Sequence, residues 1–257
     1  MNLLARLVAE SEAETRARRA KASVSDLEDR AAAYAPRDFE AAMRRDGLAV
    51  IAEMKSRTPS MGVLKQDYRP ADLAAEYTRG GAAALSVLTQ QASFGGALAH
   101  LEAARKHSDL PILRKDFITD PYQLLEARAA GADAVLLIVA ALEPSSLREL
   151  LHAARGRGLS ALVEVHDERE AEAGVAAGAR LIGVNHRDLN TFDIDLGLTE
   201  RLRPHIPQDV LLVAESGIHG PADARRMREA GAAAVLVGEM LMRAADPAAC
   251  IHELASA

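Results

Sequence analysis

The residues best placed to do chemistry are charged side chains that stand at the ends of otherwise apolar runs. Glu53 and Lys55 close one such run, and Lys115 closes another. Residues two apart in a strand share a face, so Glu53 and Lys55 point to the same side as Ile51. Three more runs end in polar residues, namely Glu164, Asn185 with Arg187 just after it, and Glu215. Because buried charges are costly unless paired or functional, this repetition predicts a cavity lined by two lysines and three glutamates.

Such a mixed set of charges suits general acid–base catalysis. Neighbouring opposite charges keep each other ionised, while burial lowers the pKa of a lysine towards a useful range. Each charge taken alone could instead be a structural ion pair at a strand end. His166 and His186 fall beside the strand-end positions, and Cys250 is the only cysteine. We therefore expect no metal and no cofactor.

Glycines after the last two apolar runs indicate a phosphate site. Ser216 and Gly217 follow the seventh run, and Gly238 and Glu239 follow the eighth. Backbone N–H groups at such positions, beside the start of a short helix, bind phosphate in many barrels. The loop after the first run, residues 56–62, adds hydroxyl groups and a tight turn.

The elements that must position these residues repeat along the chain. A helix that ends in Gly-Ala and leads at once into an apolar strand recurs at Gly81, Gly131, Gly178 and Gly231, about 50 residues apart. Four further strands lie between them, at 48–53, 110–113, 159–165 and 210–214. Prolines mark the first helical position of several helices: Pro70, Pro121, Pro144, Pro221 and Pro247. The pattern is therefore eight strands alternating with helices.

Eight similar units predict the α/β class and a closed (β/α)8 barrel. The open doubly wound sheet is disfavoured because no Gly-x-Gly-x-x-Gly follows the first strand. Two helical patterns, at 3–21 and 25–33, predict an N-terminal helical extension over 1–47. We expect residues 1–257 to form a single domain, because no linker-like segment interrupts the chain.

The composition restricts the kinds of binding partner that we expect. The formal net charge of −6 gives no general attraction to nucleic acid or to an anionic membrane. The longest apolar stretch, at 134–142, is too short to span a bilayer, and the start of the chain does not read as a secretory signal. We predict a cytoplasmic protein that acts on a small phosphorylated molecule without nucleic acid or membrane, as a monomer or a weak homodimer.

Six of these segments, in this order, resemble the signature motifs of the indole-3-glycerol phosphate synthase family. They are 51–60 (IAEMKSRTPS), 113–117 (LRKDF), 162–164 (LVE), 183–189 (GVNHRDL), 214–218 (AESGI) and 237–242 (VGEMLM). The N-terminal helical extension is also similar to the family's. The resemblance implies cyclisation of 1-(2-carboxyphenylamino)-1-deoxyribulose 5-phosphate with loss of CO2 and water, on the tryptophan pathway.

The resemblance also implies catalytic roles for the polar residues found above. Lys115 matches the general acid, and Lys55 matches the lysine beside the substrate carboxylate and phosphate, which is a second candidate acid. Glu164 matches the glutamate that takes up a proton, and Glu53 the one that holds the lysines. Asn185 and Glu215 match hydroxyl and amine contacts, and Arg187 matches a residue that orients or closes the site.

Substrate contacts follow from the same motifs. Phosphate contacts are implied for Ser60, Ser216, Gly217, Gly238 and Glu239, the last two mainly through backbone N–H groups. Phe117 and Leu136 match residues that pack against the anthranilate ring. The chain departs from the family pattern at Thr58, Met61 and Glu239, and residues 90–93 are less aromatic than the pattern leads us to expect.

Three alternatives stay open at this point. Phosphoribosylanthranilate isomerase is a related barrel, but it lacks the extension and uses a Cys and Asp pair, whereas Cys250 follows the last strand. A catalytically silent barrel would have lost a lumen lysine or glutamate. An enzyme of a specialised indole pathway would share all of these residues.

Overall fold

Eight parallel strands close into a barrel in a computed structural model that describes residues 2–59, 61–188 and 191–257. The barrel strands are β1 (Ala49–Met54), β4 (Ala84–Leu88), β5 (Ile112–Lys115), β6 (Ala134–Ile138), β7 (Ser160–Val165), β8 (Leu181–Asn185), β9 (Leu211–Glu215) and β10 (Ala234–Val237). Each pairs with the next in the chain, and β10 pairs with β1 to close the ring. The predicted (β/α)8 barrel is confirmed, and its strands fall within a few residues of the predicted ones.

Helices surround the barrel and cover its outer face. After the N-terminal extension they are α4 (Pro70–Arg79), α5 (Leu98–His107), α6 (Pro121–Ala129), α7 (Pro144–Gly156), α8 (Glu168–Ala176), α9 (Leu198–Leu202), α10 (Pro221–Glu229), α11 (Glu239–Arg243) and α12 (Pro247–Ala255). All five predicted proline starts are confirmed, because each proline is the first residue of its helix, where a missing N–H leaves no bond unmade. A hairpin of β2 (Arg57–Thr58) and β3 (Gly62–Val63) follows β1.

Alternation along each strand separates two apolar cores. In β1, Ala49 and Ile51 belong to the cluster that fills the barrel interior, whereas Val50 and Ala52 pack with the surrounding helices. This two-residue period fixes which side chains of a strand can reach the interior. Glu53 has the same parity as Ile51 and is also buried.

The N-terminal extension contains the two predicted helices and one more. Helices α1 (Leu3–Arg19) and α2 (Val24–Ala32) match the predicted segments, and α3 (Phe39–Met43) was not predicted. Five residues are too few for helical periodicity to stand out in a sequence. Leu7 of α1 and Phe39 of α3 pack into the same cluster as the barrel interior.

Within the described ranges, no helix is both long enough and apolar enough to cross a membrane.

Candidate active site

The polar residues predicted at the strand ends line one cavity at the carboxyl end of the barrel. They are Glu53, Lys55, Lys115, Glu164, Asn185, Arg187 and Glu215. The strands are parallel, so their carboxyl ends open at one face, which is where barrels of this kind carry active sites. Residues up to 162 positions apart in sequence, from Glu53 to Glu215, therefore meet in one place.

Lys115 stands between two glutamates at the floor of the cavity. Its Nζ lies 2.9 Å from Oε2 of Glu215 and 3.1 Å from Oε2 of Glu164. Lys115, Glu164 and Glu215 form one layer with Glu53. The four residues come from β5, β7, β9 and β1, which are every second strand of the barrel, as expected of one layer in a barrel interior. The layer places an ammonium group in direct contact with two carboxylates at the base of an open cavity.

The three carboxylates determine the protonation of Lys115. Burial by itself lowers the pKa of Lys115, but the charges of Glu164, Glu215 and Glu53 outweigh burial and raise it. The effect of burial has the predicted direction, but the net shift of the Lys115 pKa is upward, not downward as predicted. Burial likewise raises the pKa of Glu164, and the positive charge of Lys115, assisted by His166, outweighs it and lowers the pKa. The resting pair is an ammonium and a carboxylate.

Of the two carboxylates that contact Lys115, Glu215 holds a proton more readily than Glu164. Burial, reinforced by the charges of Glu164 and Glu53, raises its pKa to about 7 against the opposing charge of Lys115. Its Oε1 atom is buried and makes no hydrogen bond. That oxygen lies over Gly183, where a Cβ atom would overlap it. Glu215 is therefore poised between its neutral and ionised forms near neutral pH.

Lys55 pairs with the glutamate two residues before it. Its Nζ lies 2.5 Å from Oε1 of Glu53, and its side chain is 18% exposed. Gly238 at the end of β10 abuts this pair, since a Cβ atom there would lie 3.0 Å from the Nζ of Lys55 and closer still to Glu53. A glycine at 238 thus lets the backbone approach both charges, which no other residue could do without displacing them.

Asn185 connects the lysine layer to the loop that follows β9. Its Nδ2 donates to Oε1 of Glu164 at 3.2 Å, and its Oδ1 accepts from Ser216 Oγ at 2.9 Å and from the backbone N–H of Arg187 at 3.1 Å. The side-chain amide of Asn185 is thereby oriented by hydrogen bonds at both its nitrogen and its oxygen. Ser216 has a left-handed backbone, with φ of 68°, and Gly217 follows at 78°.

The positions predicted to bind phosphate gather on one side of the same cavity. Ser216, Gly217, Gly238 and Glu239 all line it, together with Thr58 of β2. Ser60 lies outside the described residues. The Glu239 carboxylate lies 3.6 Å from Nε of Arg243, one helical turn on, so a cation offsets its charge.

An apolar wall faces these polar groups. The predicted residues Phe117 and Leu136 are buried and line the cavity. Sequence reasoning missed Phe94, whose ring lies 6.1 Å from that of Phe117, and it missed Leu3 and Leu7 of α1. Phe94 follows directly on the residues at 90–93 that were judged short of aromatics, so a window one residue longer would have found it.

A buried polar network holds the strand that carries Lys115. Arg114 faces away from the lumen and is fully buried, with Nη2 2.9 Å from Asp116 and Nη1 2.7 Å from the carbonyl oxygen of Gln123. Asp116 accepts from Ser11 of α1 at 2.9 Å. Burial raises the pKa of Asp116, but Arg114 and the hydrogen bonds outweigh burial and lower it. Helix α1 is therefore tied to the residue that follows Lys115.

Comparison with known proteins agrees with this geometry. The sequence profile described as "Indole-3-glycerol phosphate synthase" matches residues 4–254. Indole-3-glycerol phosphate synthase 2 of Streptomyces coelicolor is 57% identical over 253 residues, covering 98% of each chain. Indole-3-glycerol phosphate synthase 1 of the same organism is 49% identical over 258 residues, covering 100% of this chain and 96% of the relative.

Solved structures match the fold at lower identity. A crystal structure of 3-hexulose-6-phosphate synthase has a TM-score of 0.61 at 20% identity, covering 81% of this chain and 99% of its own. Thiamine phosphate pyrophosphorylase from Pyrococcus furiosus has a TM-score of 0.61 at 19% identity, covering 80% and 93%. These two similarities concern the barrel fold alone, whereas the profile and the relatives match nearly the whole chain. The chain therefore belongs to the indole-3-glycerol phosphate synthase family.

Proposed function

We propose that the lumen lysines and glutamates close the indole ring by general acid–base catalysis. The substrate is 1-(2-carboxyphenylamino)-1-deoxyribulose 5-phosphate, and the products are indole-3-glycerol phosphate, CO2 and water. The observation that carries the mechanism is the position of Lys115, whose Nζ is 2.9 Å from Glu215 and 3.1 Å from Glu164 at the floor of the cavity. An ammonium held in this way is a donor with bases on either side.

The reaction determines how many protons the residues must move. The ketone oxygen leaves as water and takes up two protons, the methylene carbon beside the nitrogen gives up one, and the carboxylate leaves as CO2. Two acids and one base are therefore needed. Lys115 donates to the ketone oxygen as the aryl carbon attacks, Lys55 is the candidate donor when the hydroxyl leaves, and Glu164 takes the proton from carbon.

The other polar residues orient these groups. Glu53 holds Lys55 at 2.5 Å, and Asn185 holds Glu164 at 3.2 Å. Glu215 holds Lys115 and, with a pKa near 7, can bond a hydroxyl or an amine of the substrate either as donor or as acceptor. Arg187 also lines the cavity, and its guanidinium can bind an anionic substrate there.

Binding of the two ends of the substrate divides between opposite walls. We assign the phosphate to Ser216, Gly217, Gly238 and Glu239, with Ser60 as a further candidate, because glycine backbone N–H groups can approach an anion closely. The anthranilate ring packs against Phe117, Leu136 and the newly found Phe94. This orientation lays the reacting atoms over Lys115.

We also propose the cellular setting. The enzyme acts in the cytoplasm without a nucleic-acid or membrane partner, as a monomer or weak homodimer. Residues 1–257 form one domain whose extension belongs to the site, because Leu3 and Leu7 of α1 line the same cavity as Lys115.

The test is the appearance of indole fluorescence when purified protein meets the carboxyphenylamino-deoxyribulose phosphate. The chain has no Trp, so it adds little background. We expect product with the native chain and a loss of kcat/KM of at least about a thousandfold, or about 4 kcal/mol, in Lys115→Met. Lys106→Met, which removes an exposed lysine from helix α5, is the matched control and should keep full activity.

Other outcomes separate the alternatives. Binding of inorganic phosphate without indole formation would indicate a silent barrel or another substrate. Near-normal activity in Lys115→Met would overturn the acid assignment. Failure to rescue growth of a tryptophan auxotroph, with activity intact in vitro, would favour a specialised indole pathway.

A further inference from the structure

The imidazole of His166 lies behind Glu164, outside the cavity. His166 follows β7 by one residue, and its Nε2 lies 3.4 Å from Oε1 of Glu164. This is an ion-pair distance without the alignment of a hydrogen bond, and the Nε2 atom is buried with no hydrogen-bond partner. His166 is not among the described residues that line the cavity. A substrate bound in the cavity would therefore not contact His166.

Glu170 of α8 holds this imidazole from the other side. Its Oε2 lies 3.1 Å from Nδ1 of His166 and also accepts the backbone N–H of His166 at 2.8 Å. Helix α8 begins at this point, with Asp167 as its N-cap accepting the backbone N–H of Glu170. The ring is therefore fixed between a buried carboxylate and a partly exposed one. Burial lowers the pKa of His166, but both carboxylates outweigh burial and raise it to about 10.

The reaction creates a need for such a cation. In the resting site Glu164 faces Lys115 on β5, Asn185 on β8 and His166, with Glu215 on β9 beyond Lys115. When Lys115 donates, its N–H bond breaks and an O–H bond forms on the ketone oxygen, which leaves a neutral amine. Glu164 and Glu215, the two carboxylates in contact with Lys115, then share a low-dielectric layer without that cation, and such a pair favours uptake of a proton.

We propose that His166 is a positioning residue which, as an imidazolium anchored by Glu170, keeps Glu164 a carboxylate after Lys115 has given up its proton. Glu164 then remains able to accept the proton from the methylene carbon in the last step. The assignment deepens the function proposed above and rests on it. It adds a residue that never touches the substrate but determines the charge of one that does.

The direct test uses Lys115→Met as a stand-in for the state in which Lys115 is neutral. Carboxyl carbon NMR, with Glu164→Gln to assign the signal, reports the pKa of Glu164. In Lys115→Met His166→Gln we expect this pKa to lie at least about one unit above that in Lys115→Met. Lys115→Met His205→Gln is the matched control, because His205 pairs with Glu172 at 3.3 Å on the surface, and it should leave the pKa unmoved. Equal Glu164 pKa values in all three variants would overturn the proposal.

Turnover supplies an independent readout. His166→Gln alone should lower kcat about tenfold while KM stays within about twofold, because the ring does not contact substrate. A rise in KM with kcat unchanged would assign His166 to binding instead and contradict the proposal. The NMR comparison needs no substrate, so it still decides the charge of Glu164 if the native chain forms no indole product and the proposed function fails.

Discussion

Glu215 folds its Oε1 atom directly over Gly183 of the neighbouring strand, in space that any side chain at 183 would occupy. In Gly183→Ala the Oε1 atom must move, and we expect this to displace the Oε2 atom that lies 2.9 Å from Lys115. We expect kcat to fall at least about tenfold, or about 1.4 kcal/mol in the barrier, while the barrel still folds. Steady-state kinetics with circular dichroism checks both statements.

Gly156→Ala is the control for this substitution. Gly156 ends α7, and a Cβ atom there would have no neighbour within 4 Å. It should leave kcat unchanged. Full activity in Gly183→Ala would mean that the position of Glu215 over the glycine has no part in catalysis.

The proton on Glu215 predicts how stability depends on pH. Burial is the main cause that raises its pKa from 4.5 to about 7, so between these values the folded chain binds a proton that the unfolded chain has released. Stability from this group therefore falls as pH rises through that window. Relative to Glu215→Gln, which cannot titrate, the native chain should lose free energy of unfolding between about pH 4.5 and about pH 7. Urea unfolding at several pH values measures it, and parallel curves would contradict the assignment.

The sequence predicted which residues line the site better than it predicted the directions of their pKa shifts. Strand-end position predicted that Glu53, Lys115 and Glu164 share one cavity, and for Glu53 strand parity added the direction of the side chain. It could not show that Lys115 meets Glu215, 100 residues away, since that contact depends on barrel closure. The net upward shift of the Lys115 pKa was not predicted. The sequence placed three glutamates in the cavity, but it gave no distances from which their charges could be weighed against burial.

Residues outside regular strands were harder to foresee. Helix α3 has too few residues to show a period, and Phe94 lies in a loop whose path no pattern specifies. His166 was visible as a neighbour of Glu164, but its link to Glu170 depends on how α8 begins.

We expect a large loss of stability when Arg114 is replaced. The guanidinium is fully buried and forms ion pairs with Asp116 and Glu126, which are themselves buried. Arg114→Met keeps the volume but leaves those carboxylates short of a cation, so we expect the free energy of unfolding to fall by about 3 to 5 kcal/mol. Urea unfolding measures this loss. Arg69→Met, at an exposed ion pair with Asp67, should leave the midpoint unchanged. Equal midpoints for the two variants would show that the buried network contributes nothing.

We expect replacement of His186 to weaken substrate binding and to leave the catalytic rate nearly unchanged. Its Nδ1–H donates to the carbonyl oxygen of Ser216 at 2.9 Å, and its Nε2 lies 2.7 Å from Thr199 Oγ1. Burial lowers the pKa of His186, which favours the neutral ring that this arrangement needs. The ring thereby supports the left-handed Ser216, whose loop is proposed to hold the phosphate.

In His186→Leu the Ser216 carbonyl loses its donor, so the strained loop can relax. We expect KM to rise about tenfold and the inhibition constant of inorganic phosphate to rise with it, while kcat changes less than about threefold. His186→Gln, which can still donate to the carbonyl, should recover part of the affinity. A loss confined to kcat would instead connect His186 to the reacting atoms, through Asn185 beside it, and would remove the phosphate loop as the reason for this histidine.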